Sequence, residues 1–136
     1  MAFVLDASVA LAWLFSDEES VYGDWVLGRL DHEDGLAPAH WPLELANGLL
    51  VGERRGRISA SELVEAVEQT LGLPIVLLDL TPEESLGRIL QLAREHRLTE
   101  YDAAYLDLAM REGLPLATLD NDLLAAARRV GLPELG

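Results

Sequence analysis

Four acidic residues occupy comparable places along the chain, each where a strand-like or turn-like stretch gives way to a helix. Asp6 follows FVL, Glu44 follows HWPL, Asp102 follows LTEY and Asp120 follows LPLAT. In a parallel α/β sheet the carboxyl ends of the strands and the amino ends of the following helices share one edge, so such residues can meet there. Carboxylates gathered at one edge repel one another and need a hard cation or raised pKa values to coexist. The pattern therefore predicts a site for Mg²⁺ or Mn²⁺.

Each of these carboxylates also has an ordinary structural explanation. Asp6 and Asp120 could cap the helices that follow them, because aspartate is a favoured N-cap residue. Glu44 falls in the first turn of a predicted helix, where the helix dipole favours negative charge. Asp102 stands three residues after Thr99, which is the spacing of a capping box. The four together are harder to explain in this way, since serine or threonine would cap as well without adding charge.

Polar neighbours of the acidic residues are candidates for supporting roles. Ser8 lies two residues after Asp6, and Thr118 lies two residues before Asp120. Either hydroxyl could bond a carboxylate or a metal-bound water, and turn capping is the alternative for both. Asp122 and Asn121 are close enough in sequence to Asp120 to add an outer ligand or a ligand to a second metal ion.

Other charged residues are predicted to lie on the surface. Asp107 is five residues past Asp102 and so points away from that helical face, which predicts a solvated carboxylate. The densest basic cluster consists of Arg54, Arg55 and Arg57. These arginines could contact RNA phosphates or pair with acidic helices, as surface charges commonly do.

The elements that must position these residues alternate between strands and helices. Strands are predicted over residues 2–5, 35–39, 74–80 and 116–118. Helices are predicted over 8–14, 42–55, 81–96 and 99–112. A further helix begins in the segment SDEES and ends at about residue 30, and another begins at Ser59 or Ser61 and ends at about residue 71. The last helix follows Asp120. Alternating strands and helices favour a parallel sheet covered on both faces. We therefore predict one domain over 1–136, a three-layer α/β/α sandwich with a mostly parallel sheet of four or five strands.

The composition sets limits on the class of protein. The chain has 136 residues, half of them hydrophobic, which is enough for one domain with a core. Cysteine is absent, so disulfides and thiolate metal sites are excluded. The three histidines, His32, His40 and His96, lack the spacing of a zinc site. We see neither a basic run before the first apolar stretch nor an apolar run of about 18 residues, and expect a soluble cytoplasmic protein.

The charge of the chain argues against simple electrostatic binding of nucleic acid. The net charge is −14, with ten basic residues that are all arginine. Nucleic-acid-binding modules usually present a basic face, so an RNA substrate would have to be held by metal ions, local arginines or a partner chain. The acidity also suits a basic protein partner, and an acidic solvated surface is the alternative.

Several segments of the chain occur together in a characteristic order. They are VLDASVALAW, PLELANGLL followed by ERRGRIS, LTEYDAAYLDLA and LPLATLDNDL, and they span nearly the whole sequence. In these segments the chain resembles the PIN-domain ribonucleases, and especially the VapC-type toxins of toxin-antitoxin pairs. The acidic positions of that family fall on Asp6, Glu44, Asp102 and Asp120.

The resemblance implies a PIN-like fold and a Mg²⁺- or Mn²⁺-dependent endoribonuclease, in which the four carboxylates hold the metal directly or through water. It also implies an RNA substrate, a homodimer, and a cognate antitoxin that inserts a peptide segment near the site. The departures from the family pattern are Asp107, at a position that is often small and apolar, and Asn121 with Asp122, where basic residues are common. Both make the region of the site more negative.

Other functions are compatible with acidic residues at strand ends. A receiver-type phosphoacceptor domain uses a lysine to contact the phosphoryl group, and this chain has no lysine. A haloacid-dehalogenase-like phosphatase needs a second aspartate where this chain has Ser8. A non-catalytic PIN-like binding module would have no reason to retain four mutually repelling carboxylates, and it should gain no thermal stability from Mn²⁺.

Overall fold

The computed structural model describes residues 1–136 and contains four strands and eight helices. The strands are β1 (Ala2–Leu5), β2 (Asp34–Pro38), β3 (Ile75–Leu78) and β4 (Leu116–Ala117). The helices are α1 (Ala7–Leu14), α2 (Val21–Arg29), α3 (Trp41–Arg54), α4 (Ala60–Leu71), α5 (Pro82–Leu86), α6 (Arg88–His96), α7 (Glu100–Glu112) and α8 (Asn121–Arg129). None of the helices is long and apolar enough to cross a membrane.

All four strands are parallel and form one sheet in the order β3-β2-β1-β4. β1 lies inside the sheet, and its residues Phe3, Val4 and Leu5 are completely buried. Such a strand is apolar on both faces because helices surround a parallel sheet. The predicted α/β architecture is therefore confirmed, with the lower of the two predicted strand numbers.

The strand order creates a switch point beside β1. The chain moves outward from β1 to β2 and β3, then crosses back to place β4 on the other side of β1. In open α/β sheets, ligands bind where the order reverses, beyond the carboxyl ends of the strands. Asp6 follows β1 and Thr118 follows β4, so both residues lie at this point.

Helix α7 is the main support of the sheet near the switch point. It contacts β1, β2 and β4, and seven consecutive residues from Ala103 to Ala109 are buried. Its ends are set locally, because the Thr99 side chain accepts a hydrogen bond from the Asp102 backbone and Gly113 ends the helix in the left-handed conformation. The predicted bounds of this helix are confirmed.

Two details differ from the prediction. The single helix expected over 81–96 is broken at Gly87, whose φ of −110° and ψ of −99° are not helical. A Cβ atom on Gly87 would lie 2.6 Å from the Glu83 carbonyl oxygen, so this break needs glycine. β3 is an edge strand, and its residues Val76 and Leu77 are 45% and 44% exposed although the segment is strongly apolar.

Candidate active site

Asp6 lies at the carboxyl end of the central strand and is 3% exposed. It stands at the N-cap position of α1, but its side chain makes no capping hydrogen bond. Its Oδ2 atom accepts hydrogen bonds from Ser8 Oγ and from Thr118 Oγ1, each at 2.7 Å. The buried carboxylate is therefore held by two hydroxyl groups and is not used to begin the helix.

The two hydroxyl groups are themselves held by backbone N–H groups. Leu119 N donates to Ser8 Oγ at 3.0 Å, and Asp120 N donates to Thr118 Oγ1 at 3.0 Å. Each hydroxyl accepts one bond and directs its own hydrogen to the Asp6 carboxylate. Both roles considered for Ser8 and Thr118 are thus present, since these residues order the turn and also bond a carboxylate.

Glu44 projects from the first turn of α3 and has two polar neighbours. Its Oε1 atom lies 3.3 Å from His40 Nε2 and 3.4 Å from Tyr105 Oη. Burial raises the pKa of the Tyr105 hydroxyl, and the nearby charges of Glu44 and Asp6 raise it further. Tyr105 therefore stays protonated and donates to Glu44, while the His40 ring packs edge-on against the Tyr105 ring.

Asp102 and Asp120 lie at the amino ends of α7 and α8. The Asp102 backbone N–H donates to Thr99 Oγ1 at 3.1 Å, but the Asp102 side chain does not complete a capping box. Asp120 caps α8, because its Oδ1 atom accepts a 3.0 Å bond from Leu123 N. Capping therefore accounts for the position of Asp120 and leaves the carboxylate of Asp102 unexplained.

The pKa shifts of Asp102 and Asp6 indicate that the four carboxylates lie near one another. Burial raises the pKa of Asp102 to about 6, and the charges of Asp6, Asp120 and Glu44 contribute to the shift in that order. The pKa of Asp6 is also raised, by burial first and then by Glu44, against the opposing effect of its two hydroxyl donors. Such shifts are typical of functional sites.

His40 is the one basic side chain within 4 Å of any of the four carboxylates, at Glu44. Every arginine ion pair in the structure involves other acids, and none includes any of the four. Their repulsion is therefore not relieved by guanidinium groups. Residues that merely support the fold would be expected to pair in this way, because an uncompensated buried charge is costly.

The side chains do not form a ready-made metal cage. No group of three or more histidine, aspartate or glutamate side chains has an arrangement that could already hold a metal ion. A metal ion at this edge would require these carboxylates to turn toward one another, so the predicted metal site stays a prediction.

Asp122 and Asp107 lie apart from this group. Asp122 is exposed and lines a surface depression with His96, Arg97 and Arg129.

The expectation that Asp107 is solvated is wrong, because it is 1% exposed. Arg88 bonds both of its oxygens, and Arg111 Nε donates to Oδ2 at 2.9 Å. Asp107 joins α6 to α7, and its distance from Asp102 along the helix places it away from the site.

Tyr105 and His40 were not expected in the site from the sequence. Tyr105 is three residues after Asp102 on α7, and His40 is four residues before Glu44 on α3. Residues three or four apart share a helical face, so this spacing was a usable signal. Neither residue stood out, because a tyrosine inside an apolar helix and a lone histidine both suit a protein core.

The sequence comparisons agree with this arrangement of fold and site. The model of the PIN domain family matches residues 3–129. The chain is 32% identical over 123 residues to Ribonuclease VapC3 of Pyrobaculum aerophilum, covering 90% of this chain and 92% of that protein. It is 35% identical over 120 residues to Ribonuclease VapC12 of Mycobacterium tuberculosis, covering 88% of each.

Solved structures have the same fold. The crystal structure of PAE2754 from Pyrobaculum aerophilum superposes with a TM-score of 0.71 at 24% identity, covering 93% of this chain and 84% of that one. The crystal structure of VapC20 from Mycobacterium tuberculosis, a sarcin-ricin loop cleaving toxin, superposes with a TM-score of 0.65 at 16% identity, covering 98% of each chain. The chain therefore belongs to the PIN-domain family and, within it, to the proteins of VapC type.

Proposed function

We propose that this protein is a Mg²⁺- or Mn²⁺-dependent endoribonuclease, the toxin of a type II toxin-antitoxin pair. The observation that carries the proposal is the half-buried carboxyl group of Asp102. Its pKa is raised by burial first and then by three further carboxylates, none of which is paired with an arginine. The names of its ribonuclease relatives and the toxin of like fold support the same reading. The proposed metal ligands are Asp6, Glu44, Asp102 and Asp120.

The donor set suits a hard divalent cation. All four groups are carboxylates, which are the ligands that Mg²⁺ and Mn²⁺ prefer in proteins. A bound ion would supply a Lewis acid for the phosphate and lower the pKa of a water molecule. The chain itself orients the proposed ligands. Ser8 and Thr118 hydrogen-bond the carboxylate of Asp6, and Tyr105 hydrogen-bonds that of Glu44.

The chain also offers a path for the RNA backbone. A groove between α1 and α3 begins at Ser8, beside Asp6, and continues to Arg55 and Arg57. Arg57 is paired with Asp17 and Glu18, whereas Arg55 makes no ion pair. Arginine is well suited to phosphate, so we propose that this groove carries the strand away from the site.

Two protein partners complete the proposal, a second copy of the chain and a cognate antitoxin. The edge strand β3 and helix α4 expose apolar side chains that a homodimer would cover: Val64, Val67, Leu71, Val76 and Leu77. The net charge of −14 suits a basic antitoxin. We place the pair in the cytoplasm, where its RNA substrate lies and where a chain without cysteine needs no oxidising compartment.

The proposal is tested by Asp6→Asn and Asp102→Asn. RNA ends are sequenced after brief induction of the wild type and of each variant, and both variants should lose the cleavage products while remaining folded. The control is Asp24→Asn, which changes an exposed carboxylate in the first turn of α2. Unchanged cleavage by both site variants would remove the proposed mechanism.

Metal binding is tested separately by thermal unfolding. Mn²⁺ should raise the melting temperature of the wild type in proportion to ln(1 + [Mn²⁺]/Kd), and it should raise that of Asp102→Asn much less. If Mn²⁺ stabilises neither protein, the result would favour a non-catalytic binding module of the same fold.

A further inference from the structure

A cavity of about 310 Å³ opens at the carboxyl end of β4, beside the turn that carries Asp120. It lies between α8, Tyr22 of α2 and the segment 132–135 that follows α8. None of the four carboxylates lines it. Its volume is at the lower end of the range for small-ligand pockets in proteins, which run from about 300 to 1,000 Å³.

The cavity and the candidate active site share a wall. Thr118 lines the cavity and also donates its hydroxyl hydrogen to Asp6 at 2.7 Å. Leu119 and Asn121 line the cavity as well, and they are the residues on either side of Asp120. A ligand in the cavity would therefore lie next to a group that contacts Asp6 or Asp120.

The lining combines apolar side walls with polar groups. Leu116, Leu124 and Ala127 contribute apolar surface. The Asn121 side chain offers both a donor and an acceptor, as the edge of a nucleobase does. Burial raises the pKa of Tyr22, so its hydroxyl remains a donor at neutral pH.

Charge at the cavity is balanced. Arg128 and Glu134 both line it, and their nearest charged atoms are 3.7 Å apart. Both side chains are largely exposed, so their interaction is weak and either can turn toward a ligand. The cavity is thus less negative than the neighbouring carboxylate cluster and suits a neutral, flat, polar-edged group.

We propose that this cavity receives an unpaired nucleobase of the RNA, next to the phosphate that the carboxylates would act on. Proteins read single-stranded RNA by placing splayed bases against aromatic and apolar side chains and by hydrogen-bonding their edges. Tyr22 and the leucines supply the aromatic and apolar surface, and Asn121 supplies the hydrogen bonds to the base edge. The inference rests on the proposed function, because it assigns the substrate base to the site that would cleave the strand.

Binding is tested first, without cleavage. The four nucleoside monophosphates are titrated into the metal-free protein, and amide chemical shifts are followed by NMR. Shifts should concentrate around Tyr22, residues 116–124 and residues 132–135, with one base binding more tightly than the others. Leu124→Trp fills the cavity and should abolish these shifts, whereas Leu86→Trp places the same side chain on an exposed position of α5 and should not.

Specificity is tested next with RNA oligonucleotides that differ only in the base beside the cut. The wild type should prefer one base by about tenfold or more in kcat/KM, which is what a hydrogen-bonding pocket commonly achieves. Asn121→Ala should reduce that preference while retaining cleavage. This side chain is exposed at the start of α8, so the fold should be unaffected.

The outcomes separate the two proposals. If the nucleotides shift the cavity residues but no RNA is cut, the proposed function fails and the base pocket stands. If RNA is cut with the same base preference by the wild type and Asn121→Ala, and no nucleotide shifts the cavity residues, the pocket proposal is overturned. Loss of antitoxin binding in Leu124→Trp, with no nucleotide binding by the wild type, would likewise overturn it in favour of a protein side chain.

Discussion

The Thr118 hydroxyl donates a 2.7 Å hydrogen bond to Oδ2 of Asp6, although the two residues are 112 positions apart. The bond is possible because β4 pairs directly with β1, with Leu5 opposite Ala117. Asp6 is buried, so its orientation depends on such donors. The sheet topology therefore determines which way the central carboxylate faces.

Thr118→Val should weaken metal binding and cleavage, because it removes this donor while preserving the shape of the side chain. Loss of an outer hydrogen bond to a metal ligand typically lowers affinity or activity by about 10- to 100-fold. Mn²⁺ affinity by calorimetry and cleavage rates are the measurements. Thr70→Val is the matched control, since that hydroxyl bonds only the Ala66 carbonyl within α4. Equal Mn²⁺ affinity in both variants would contradict the role given to Thr118.

Tyr105→Phe should separate activity from stability. The ring fills buried space and is retained, whereas the hydroxyl 3.4 Å from Glu44 is lost. We expect a small change in the free energy of unfolding, of about 1 kcal/mol. Mn²⁺ affinity should fall by about tenfold. Urea unfolding and metal titration are compared in one preparation, and a variant with full metal affinity would show that Tyr105 only fills the core.

Asp102 should make the metal-free protein less stable as the pH rises. Its pKa is raised from 3.8 to about 6 in the folded state, so the folded protein binds the proton more tightly than the unfolded chain. The resulting stability is fully present below pH about 4 and is lost as the pH rises through about 6. Asp102→Asn does not titrate and should be more stable than the wild type at pH 7.5, by about 1 kcal/mol after allowance for solvent screening.

Urea unfolding at pH 5 and pH 7.5 in the presence of a chelator measures this difference. The advantage of Asp102→Asn should grow between the two pH values, whereas Asp24→Asn on α2 should differ little from the wild type at either. An advantage that stays constant with pH would mean that titration of Asp102 is not its source.

Asp107→Asn should destabilise the fold without altering the chemistry of the site. Asp107 is buried and bonds Arg88 and Arg111, so its loss leaves these two guanidinium groups with Glu84 as their remaining acidic partner. Because both arginines are partly exposed, this loss should cost about 1–3 kcal/mol, whereas Asp17→Asn at the exposed pair with Arg57 should cost less than about 1 kcal/mol. Chemical denaturation compares the two, and similar losses would argue against the buried network.

Two glycines in helices should respond to alanine in opposite directions. A Cβ on Gly52 would lie 2.4 Å from the ring of Phe15, which is buried where α1 meets α3. Gly52→Ala should therefore cost about 1–3 kcal/mol. A Cβ on Gly28 meets nothing within 4 Å, so Gly28→Ala should gain about 0.4–1 kcal/mol. Thermal unfolding of both variants tests the prediction, and a stable Gly52→Ala would mean that the two helices can separate freely.

Local signals in the sequence predicted the parts of the fold that depend on local chemistry. The ends of α7 were predicted correctly because Thr99 and Gly113 act within one turn of the helix. The break at Gly87 was missed because a glycine can lie inside a helix, and nothing local required the chain to turn there. The apolar segment of β3 predicted a strand but not its place at the sheet edge, which depends on pairing with residues 40 positions away.

The candidate site was likewise predictable only in part. The four acidic residues stood out because strand ends and helix starts converge in any parallel sheet, whatever the details of packing. Asp107 was wrongly predicted to be solvated because its partner Arg88 lies 19 residues away on another helix. Its second partner, Arg111, is four residues further along α7 and could have been recognised from the sequence. The hydrogen bonds to Asp6 depend on β4 lying beside β1, which no residue spacing specifies.

The adjacency of the first and last strands has a consequence during translation. β4 pairs with β1 only after residues 1–117 have left the ribosome, and Asp120 follows β4. Contacts this distant in sequence form late, because the whole intervening chain must first be ordered. A nascent or prematurely released polypeptide that ends before β4 therefore lacks the Thr118 hydroxyl that orients Asp6, and it lacks Asp120.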